Sequence, residues 1–181
     1  MAERVIFHVD ANSAFLSWTA AYKMKVLGET EDLRQIPSVV AGDKESRHSI
    51  ILAKSLPAKK YGIQTGEPLF QALEKCPELT VVPPDYPLYV EASRHFVEIL
   101  RQFSPAVEQY SIDEAWVDMT GTRRLYGDPR LAAEQMRARI LEELGFTVNI
   151  GISSNKLLAK MAGDFEKPNK VHTLFPEEVP D

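Results

Sequence analysis

The sequence lacks the residues that several kinds of structure and site require. It contains one cysteine, Cys76, so no internal disulfide can form, and a lone thiol is typical of a reducing cytoplasm. We expect Cys76 to be a small buried core residue. The four histidines are widely scattered, which disfavours a zinc enzyme because zinc ligands recur at short spacings. No run approaches eighteen apolar residues, so we predict no membrane span. The N-terminal apolar stretch is short and soon followed by an acidic residue, so we predict no secretory signal.

An excess of positive charge is also missing. The 181 residues include 21 Lys and Arg against 26 Asp and Glu, which gives a net charge of −5. A protein that coats nucleic acid carries the opposite balance. If the chain binds DNA, the contact must therefore be local or come from another part of the protein. The hydrophobic fraction of 44% is enough for an ordinary core, and the length suits one domain with a smaller lobe.

Apolar periodicity predicts a mixed α+β fold. The segments outside a central insert give strand, helix, hairpin, helix and strand, close to the split β-α-β-β-α-β unit of ferredoxin-like folds. The predicted outer elements are strands at 5–9, 107–112, 115–119, 146–152 and 171–175, and helices ending near 27, spanning about 92–103, 133–144 and 155–165. The insert, at about 20–77, contains predicted strands at 38–41 and 49–53, a turn-rich stretch, and a helix at 69–75, and a further strand is predicted just after it at 79–82.

Three carboxylates stand at the ends of predicted strands. Asp10 follows an apolar strand, and Asp113 and Glu114 stand side by side between the two strands of the hairpin. Asp10 alone could equally be a helix cap, and the pair alone could be a solvated turn. If the hairpin lies beside the first strand, all three converge on one sheet edge. Oxygen ligands without histidine favour magnesium or manganese, and such a cluster usually acts on phosphates with two metal ions.

Basic residues form a local cluster in this acidic chain. Residues 38 to 66 contain five basic and two acidic residues, and the basic ones are Lys44, Arg47, Lys54, Lys59 and Lys60. Lys156 and Lys160 are four residues apart on one face of a predicted helix. Together they could bind a triphosphate, although each one taken singly is equally well explained as a solvated lysine.

Three stretches resemble the Y-family of translesion DNA polymerases, and most closely its polymerase IV and UmuC-like branch, the ImpB/MucB/SamB group. They are HVDANSAFLSW, YSIDEAWVDMTG and VNIGISSNKLLAKMAGDFEKP, which occur in the family's order and span nearly the whole chain. The resemblance implies a DNA-directed DNA polymerase, a nucleotidyltransferase of DNA damage repair. It implies a palm at 1–19 and 78–181 and fingers at 20–77. It also implies that the thumb and little-finger domains of such proteins are absent from this chain.

The resemblance also implies roles for individual residues. Asp10, Asp113 and Glu114 would hold two magnesium ions, or manganese, with help from the backbone carbonyl of Ala11. Phe15 matches the steric-gate position, where a ring excludes the 2′-hydroxyl of a ribonucleotide. Lys160 matches a lysine that contacts the triphosphate.

The chain departs from the family pattern in the fingers. Ala53, Leu56 and Lys59 stand where relatives commonly have Thr or Ser, Tyr and Arg for the triphosphate, and Lys59 lacks the bidentate fork of arginine. Lys44, Arg47 and Ser55 could substitute for the missing contacts. Asn12 replaces an acidic residue of many relatives.

The expected partners are primer–template DNA and deoxynucleoside triphosphates, with a sliding clamp bound through the missing C-terminal part. We expect a monomer located in the cytoplasm, near the nucleoid during repair. The chain alone should bind DNA poorly and polymerise weakly or not at all, because phosphate contacts need Lys and Arg.

Three other functions remain open from the sequence. A haloacid-dehalogenase-like phosphatase also places an Asp after a strand, but it needs a second acid where Asn12 stands. A palm-fold nucleotide cyclase would need no primer. A repair module of the same family could have kept the acids and lost catalysis.

Overall fold

The computed structural model describes residues 4–43 and 48–179, which form two compact units. The first unit comprises the chain up to Asn12 together with everything from Val90 onward, and the second comprises Ser13–Tyr89. Within the described ranges, no helix is long and apolar enough to cross a membrane.

The strands are β1 (Ile6–Ala11), β2 (Ser38–Ala41), β3 (Ile51–Lys54), β4 (Thr80–Val82), β5 (Val107–Gln109), β6 (Glu114–Asp118), β7 (Val148–Ser153) and β8 (Val171–Thr173). The helices are α1 (Ala14–Lys25), α2 (Leu56–Lys60), α3 (Leu69–Lys75), α4 (Tyr86–Phe103), α5 (Arg123–Tyr126), α6 (Pro129–Leu144) and α7 (Lys156–Gly163). Short 3-10 turns occupy Leu33–Gln35 and Pro176–Glu178.

The first unit is built on a five-stranded sheet in the order β5-β6-β1-β7-β8. The four neighbouring strands β5, β6, β1 and β7 have the order of a ferredoxin-like sheet, in which β1 is antiparallel to both β6 and β7. The strand β8 pairs in parallel with β7 at the far edge. The predicted α+β class with a split β-α-β unit is therefore confirmed. The strand β5 is shorter than predicted, and β6 begins one residue earlier than predicted, so Glu114 is its first residue rather than part of the connection.

Alternation along the strands separates the two faces of this sheet. One face is fully buried by apolar side chains, which include Phe7, Val9, Ala115, Val117 and Ile152. The opposite face, which we call the front face, carries His8, Asp10 and Glu114. The helix α7 packs on the front face against β7 and β1, and its N-cap Asn155 accepts a hydrogen bond from the Leu158 amide.

The second unit contains a three-stranded sheet in the order β3-β2-β4. One core lies around Ile51, Leu69 and the fully buried Cys76, as expected for that thiol. A second core joins Leu16 of α1 to Val40 and other apolar residues of the sheet.

The boundaries of this unit differ from the palm and fingers ranges expected from the sequence. The helix α1 packs on the sheet of the second unit, and Thr80–Val82 pairs with β2, so both belong there. Sequence spacing could not reveal either contact, because each joins segments far apart in the chain.

Gly151 controls the distance between α7 and the sheet. A Cβ at this position would lie 1.8 Å from the Ala159 carbonyl oxygen and 2.4 Å from the Gly163 amide nitrogen, and both atoms belong to the backbone. Backbone atoms cannot move aside as a flexible side chain can. The contact therefore requires glycine, and it determines where the helix that bears Lys160 lies.

We predict that Gly151→Ala destabilises the protein by about 3 kcal/mol or more, or prevents folding, because α7 must move off the sheet. Urea unfolding followed by circular dichroism measures the change. Gly163→Ala is the matched control on the same contact, since its Cβ would meet its nearest neighbour at 3.5 Å, an ordinary packing distance. Equal losses from the two substitutions would contradict the argument.

Candidate active site

Backbone pairing brings the three predicted carboxylate residues to one end of β1. Asp10 is paired directly with Glu114 in the antiparallel register, and the next amide, of Ala11, donates to the Asp113 carbonyl oxygen at 2.9 Å. Side chains of directly opposed residues project from the same face. The acids at 10 and 114 are therefore neighbours on the front face, although they are more than 100 residues apart in the chain.

Each carboxylate has its own partner in this structure. Lys160 donates to both oxygens of Glu114 at 2.8 and 3.1 Å, and Lys167 donates to Asp10 Oδ2 at 2.5 Å. Ser111 Oγ donates to Asp113 Oδ1 at 2.7 Å and fixes that side chain. In the described part of the chain, no three His, Cys, Asp or Glu side chains are already gathered in a metal-binding arrangement.

Burial and charge shift the protonation of this site. Burial raises the pKa of the Asp10 carboxyl, the negative charge of Asp113 acts in the same direction, and the Lys167 ammonium opposes both. The hydrogen bond to Glu114 raises the pKa of Lys160. Burial alone lowers the pKa of Lys167, but its bonds to Asp10 and Asp164 outweigh that effect and raise it.

Three residues of the site, His8, Lys167 and Asn149, were not predicted from the sequence. His8 is 2% exposed, its Nε2 lies 3.4 Å from Glu114 Oε2, and burial lowers its pKa. Only its place in strict alternation with Asp10 along β1 could have indicated that it faces the site. Lys167 lies in the DFEKP run, but nothing in the local pattern pairs it with Asp10.

Asn149 is fully buried and ties the loop after α7 to the sheet. Its amide nitrogen donates to the carbonyl oxygens of Gly163 and Glu166 at 2.9 and 2.7 Å, and its oxygen accepts from Asn12 at 3.0 Å. Asn12 in turn accepts from Thr147 Oγ1 and from the Asn169 amide. The Asn12 side chain thus joins three segments of the first unit. The cap position of α1 belongs to Ser13, which makes no side-chain cap bond.

The remaining predicted site residues lie in the second unit. Phe15, on α1, is half-buried and stacks on the Tyr89 ring, with 4.4 Å between centroids and 10° between planes. Lys59 is exposed on α2, Leu56 is 54% exposed at the start of that helix, and Ala53 is buried in β3. Lys44 and Arg47 lie outside the described residues.

Ser55 does not suit the nucleotide contact suggested for it. It is 3% exposed and caps α2, because its Oγ accepts from the Ala58 amide. The same oxygen also accepts from the Ser38 amide and donates to the Ile36 carbonyl oxygen. One donor and two acceptor sites are all that a hydroxyl offers, so its capacity is used within the fold.

Comparison with known proteins places this arrangement in a family. Residues 9–164 match the model of the impB/mucB/samB family. The chain belongs to that family. The resemblance seen in the sequence is thereby confirmed, and membership disfavours the phosphatase, which was an alternative reading of Asp10.

Members of the family match over almost the whole chain. DNA polymerase IV of Clostridium acetobutylicum is 52% identical across 98% of this chain and 44% of its own length. DNA polymerase IV of Salmonella arizonae is 38% identical across 98% of this chain and 48% of its own length. The chain thus spans somewhat less than half the length of these curated relatives.

Solved structures agree with the fold. DinB from Sulfolobus solfataricus superposes with a TM-score of 0.80 at 27% identity, covering 97% of this chain and 49% of that one. The insertion ternary complex of Dbh DNA polymerase gives 0.81 at 27% identity, covering 97% and 50%.

We predict that Asn149→Ala destabilises the protein by about 2–4 kcal/mol, because the buried carbonyl oxygen of Gly163 and the partly buried one of Glu166 lose their donor. Urea unfolding measures the loss, and hydrogen exchange should show earlier opening of residues 164–170. Asn155→Ala is the control, since the loss of a helix cap costs only about 1 kcal/mol. A loss at Asn149 no larger than that of the control would count against a tethering role.

Proposed function

We propose that this chain contains the catalytic centre of a translesion DNA polymerase, a nucleotidyltransferase that uses two divalent metal ions. The observation that supports this most directly is the pairing of Asp10 with Glu114, together with the bond from Ala11 to Asp113. It gathers three acidic residues at one end of a rigid strand. Family membership supports the same reading.

The residues present fit magnesium or manganese. The three acids offer oxygen ligands, which these ions prefer. The pKa of Asp10 is raised because its carboxyl group is partly buried and lies near the negative charge of Asp113. In this structure the ammonium groups of Lys160 and Lys167 lie where a cation would be expected. Metal binding would require Asp10 and Glu114 to exchange these lysines for the ions.

The side chains around the ions would then have separate roles. Bound ions would supply charge neutralisation and activation of the attacking hydroxyl. Asp113, held by Ser111, and the backbone at Ala11 would fix the ligand geometry. Lys160, released from Glu114, would contact the triphosphate, and the Phe15 ring would exclude a 2′-hydroxyl.

The fingers contacts and partners follow the same proposal. Lys59 would give a charged contact to the triphosphate, with Lys44 and Arg47 as further candidates in the segment that is not described. Ser55 is left out because its hydroxyl is already used. Primer–template DNA and deoxynucleoside triphosphates would be the substrates, and a clamp would bind a longer form of the protein.

A second candidate is a repair module of the family with impaired catalysis. Ala53 and Leu56 offer no hydroxyl group to a triphosphate, and the nearby hydroxyl of Ser55 is buried. Weak nucleotide binding beside an intact metal site would favour this candidate over an active polymerase.

We predict that magnesium and a deoxynucleoside triphosphate together raise the melting temperature of this chain. Ligands at about ten times Kd stabilise the native state by about 1.4 kcal/mol, which corresponds to about 3–6 °C at this size. Differential scanning fluorimetry measures the shift. Asp113→Ala should abolish it, whereas Glu74→Gln, an exposed acid on α3, should leave it unchanged. A shift that survives Asp113→Ala would argue against the proposed metal site.

We predict that Lys59→Ala weakens deoxynucleotide binding by about twofold to fivefold, because an exposed ammonium contributes up to about 1 kcal/mol to an ionic contact. Lys60→Ala removes the same charge one position further along α2 and should have a smaller effect. Equilibrium titration at two salt concentrations measures both. Identical losses would mean that Lys59 acts only through general charge.

A further inference from the structure

His8 is a buried polar residue of the first unit that the proposed function does not use. It is paired with Trp116 on one side of β1 and with Gly151 on the other, so its side chain projects from the front face, as that of Glu114 does. The residue is 2% exposed, and its ring contacts the Trp116 ring with 5.4 Å between centroids. The helix α7 covers it, since a Cβ on Gly163 would lie 3.6 Å from the His8 Nδ1 atom.

The imidazole ring of His8 has no hydrogen-bond partner in the described part of the chain. This holds for both nitrogen atoms, Nδ1 and Nε2, and both atoms are buried. An unpaired polar group in the interior destabilises a protein, and nearly all such groups are paired. An apolar side chain of similar volume would avoid this loss. Packing therefore does not explain why a histidine occupies this position.

The Nε2 atom of His8 faces Glu114. It lies 3.4 Å from Glu114 Oε2, but the contact lacks the alignment of a hydrogen bond. Both carboxylate oxygens instead accept from the Lys160 ammonium, at 2.8 and 3.1 Å. The Glu114 side chain is 13% exposed, so most of its hydrogen bonds must come from the protein rather than from water.

We propose that His8 is a positioning residue, which orients Glu114 when this carboxylate binds a metal ion. Once Lys160 is released, the His8 Nε2–H group donates to Glu114 Oε2 and leaves Oε1 for the ion. A neutral imidazole can carry its one proton on Nε2. This inference rests on the proposed metal site and adds to it a residue that acts through a ligand rather than on the ion.

The chemistry of metal sites explains why such a group is retained. Hydrogen bonds from neighbouring side chains fix the orientation of metal ligands, and losing one commonly weakens metal binding by about tenfold or more. The unpaired state of His8 in the metal-free structure is then the counterpart of a bond made in the metal-bound structure. A purely structural histidine would instead be expected to have its partners in the metal-free fold.

Two substitutions separate these roles in the metal-free protein. His8→Leu removes both nitrogen atoms at similar volume, whereas His8→Gln keeps an N–H donor near the position of Nε2, and both lose the ring contact with Trp116. We expect His8→Leu to melt at the same temperature as His8→Gln or about 2–4 °C higher, because it buries no unpaired polar group. Differential scanning fluorimetry in the presence of a chelator measures both temperatures.

Metal affinity should follow the opposite order. Mn²⁺ is titrated into the metal-free chain, and the electron paramagnetic resonance signal of the free ion reports how much is bound. We expect His8→Leu to bind Mn²⁺ about tenfold more weakly than the unmodified chain and His8→Gln to recover most of the affinity. His95→Leu is the control, because His95 is an exposed histidine on α4 and its loss should leave the affinity unchanged.

The proposed bond also has a spectroscopic signature in the unmodified protein. In ¹⁵N-labelled chain, saturating Mg²⁺ should slow the exchange of the His8 Nε2–H proton with water, so that a downfield imidazole N–H signal appears. The His8→Gln spectrum should lack this signal. This measurement decides the matter even if His8→Leu does not fold.

Three results would overturn the proposal and leave the metal site in place. They are an unchanged Mn²⁺ affinity in His8→Leu, equal losses of affinity in His8→Leu and His8→Gln, and no protected imidazole proton with bound Mg²⁺. Failure of the proposed function looks different. In that case the unmodified chain binds no more Mn²⁺ than Asp113→Ala does, whatever residue stands at position 8.

Discussion

The central position of β1 determines the geometry of the site. Antiparallel pairing with β6 sets Asp10 opposite Glu114, and pairing with β7 sets Asp10 opposite Asn149. A slip of one residue in either register would turn the paired side chain to the opposite face. The buried apolar face prevents such a slip, because Ala115 and Val117 of β6, or Ile150 and Ile152 of β7, would then leave the core. The precision of the acid cluster therefore derives from the hydrophobic side of the same sheet.

Bringing carboxylates together has an electrostatic cost, and the fold meets it with cations from one neighbouring region. Lys160 lies on α7, and Lys167 lies in the loop that follows this helix. The close contact at Gly151 sets the position of α7, and the Asn149 amide holds the loop. The same packing therefore places both ammonium groups. A metal ion that binds these acids would compete with groups whose positions are already fixed.

Much of this architecture could be predicted from the sequence because its signals are local. Strands that end in acids, amphipathic helices and the order of elements all appear as periodicity, and the helix at Leu69–Lys75 was predicted with its observed bounds. Tertiary contacts without a local pattern were missed. The bonds of Lys167 to Asp10 and of Asn149 to Glu166, and the packing of α1 on the second sheet, join segments whose spacing carries no periodic signal.

Ser55, in the second unit, suggests a ligand contact by its residue type, but the fold already uses its hydroxyl group. Ser55 lies in a basic stretch, where a hydroxyl suits a phosphate contact by composition. Its environment gives it a different role, because the start of α2 and the ends of two neighbouring segments leave two donors and an acceptor unmet without it. A buried hydroxyl with three partners cannot turn to a ligand without leaving those groups unpaired. If the second unit binds a triphosphate, its contacts must therefore come mainly from exposed charged side chains such as Lys59. Such binding is weaker and more sensitive to salt than binding in a site lined by hydroxyl groups.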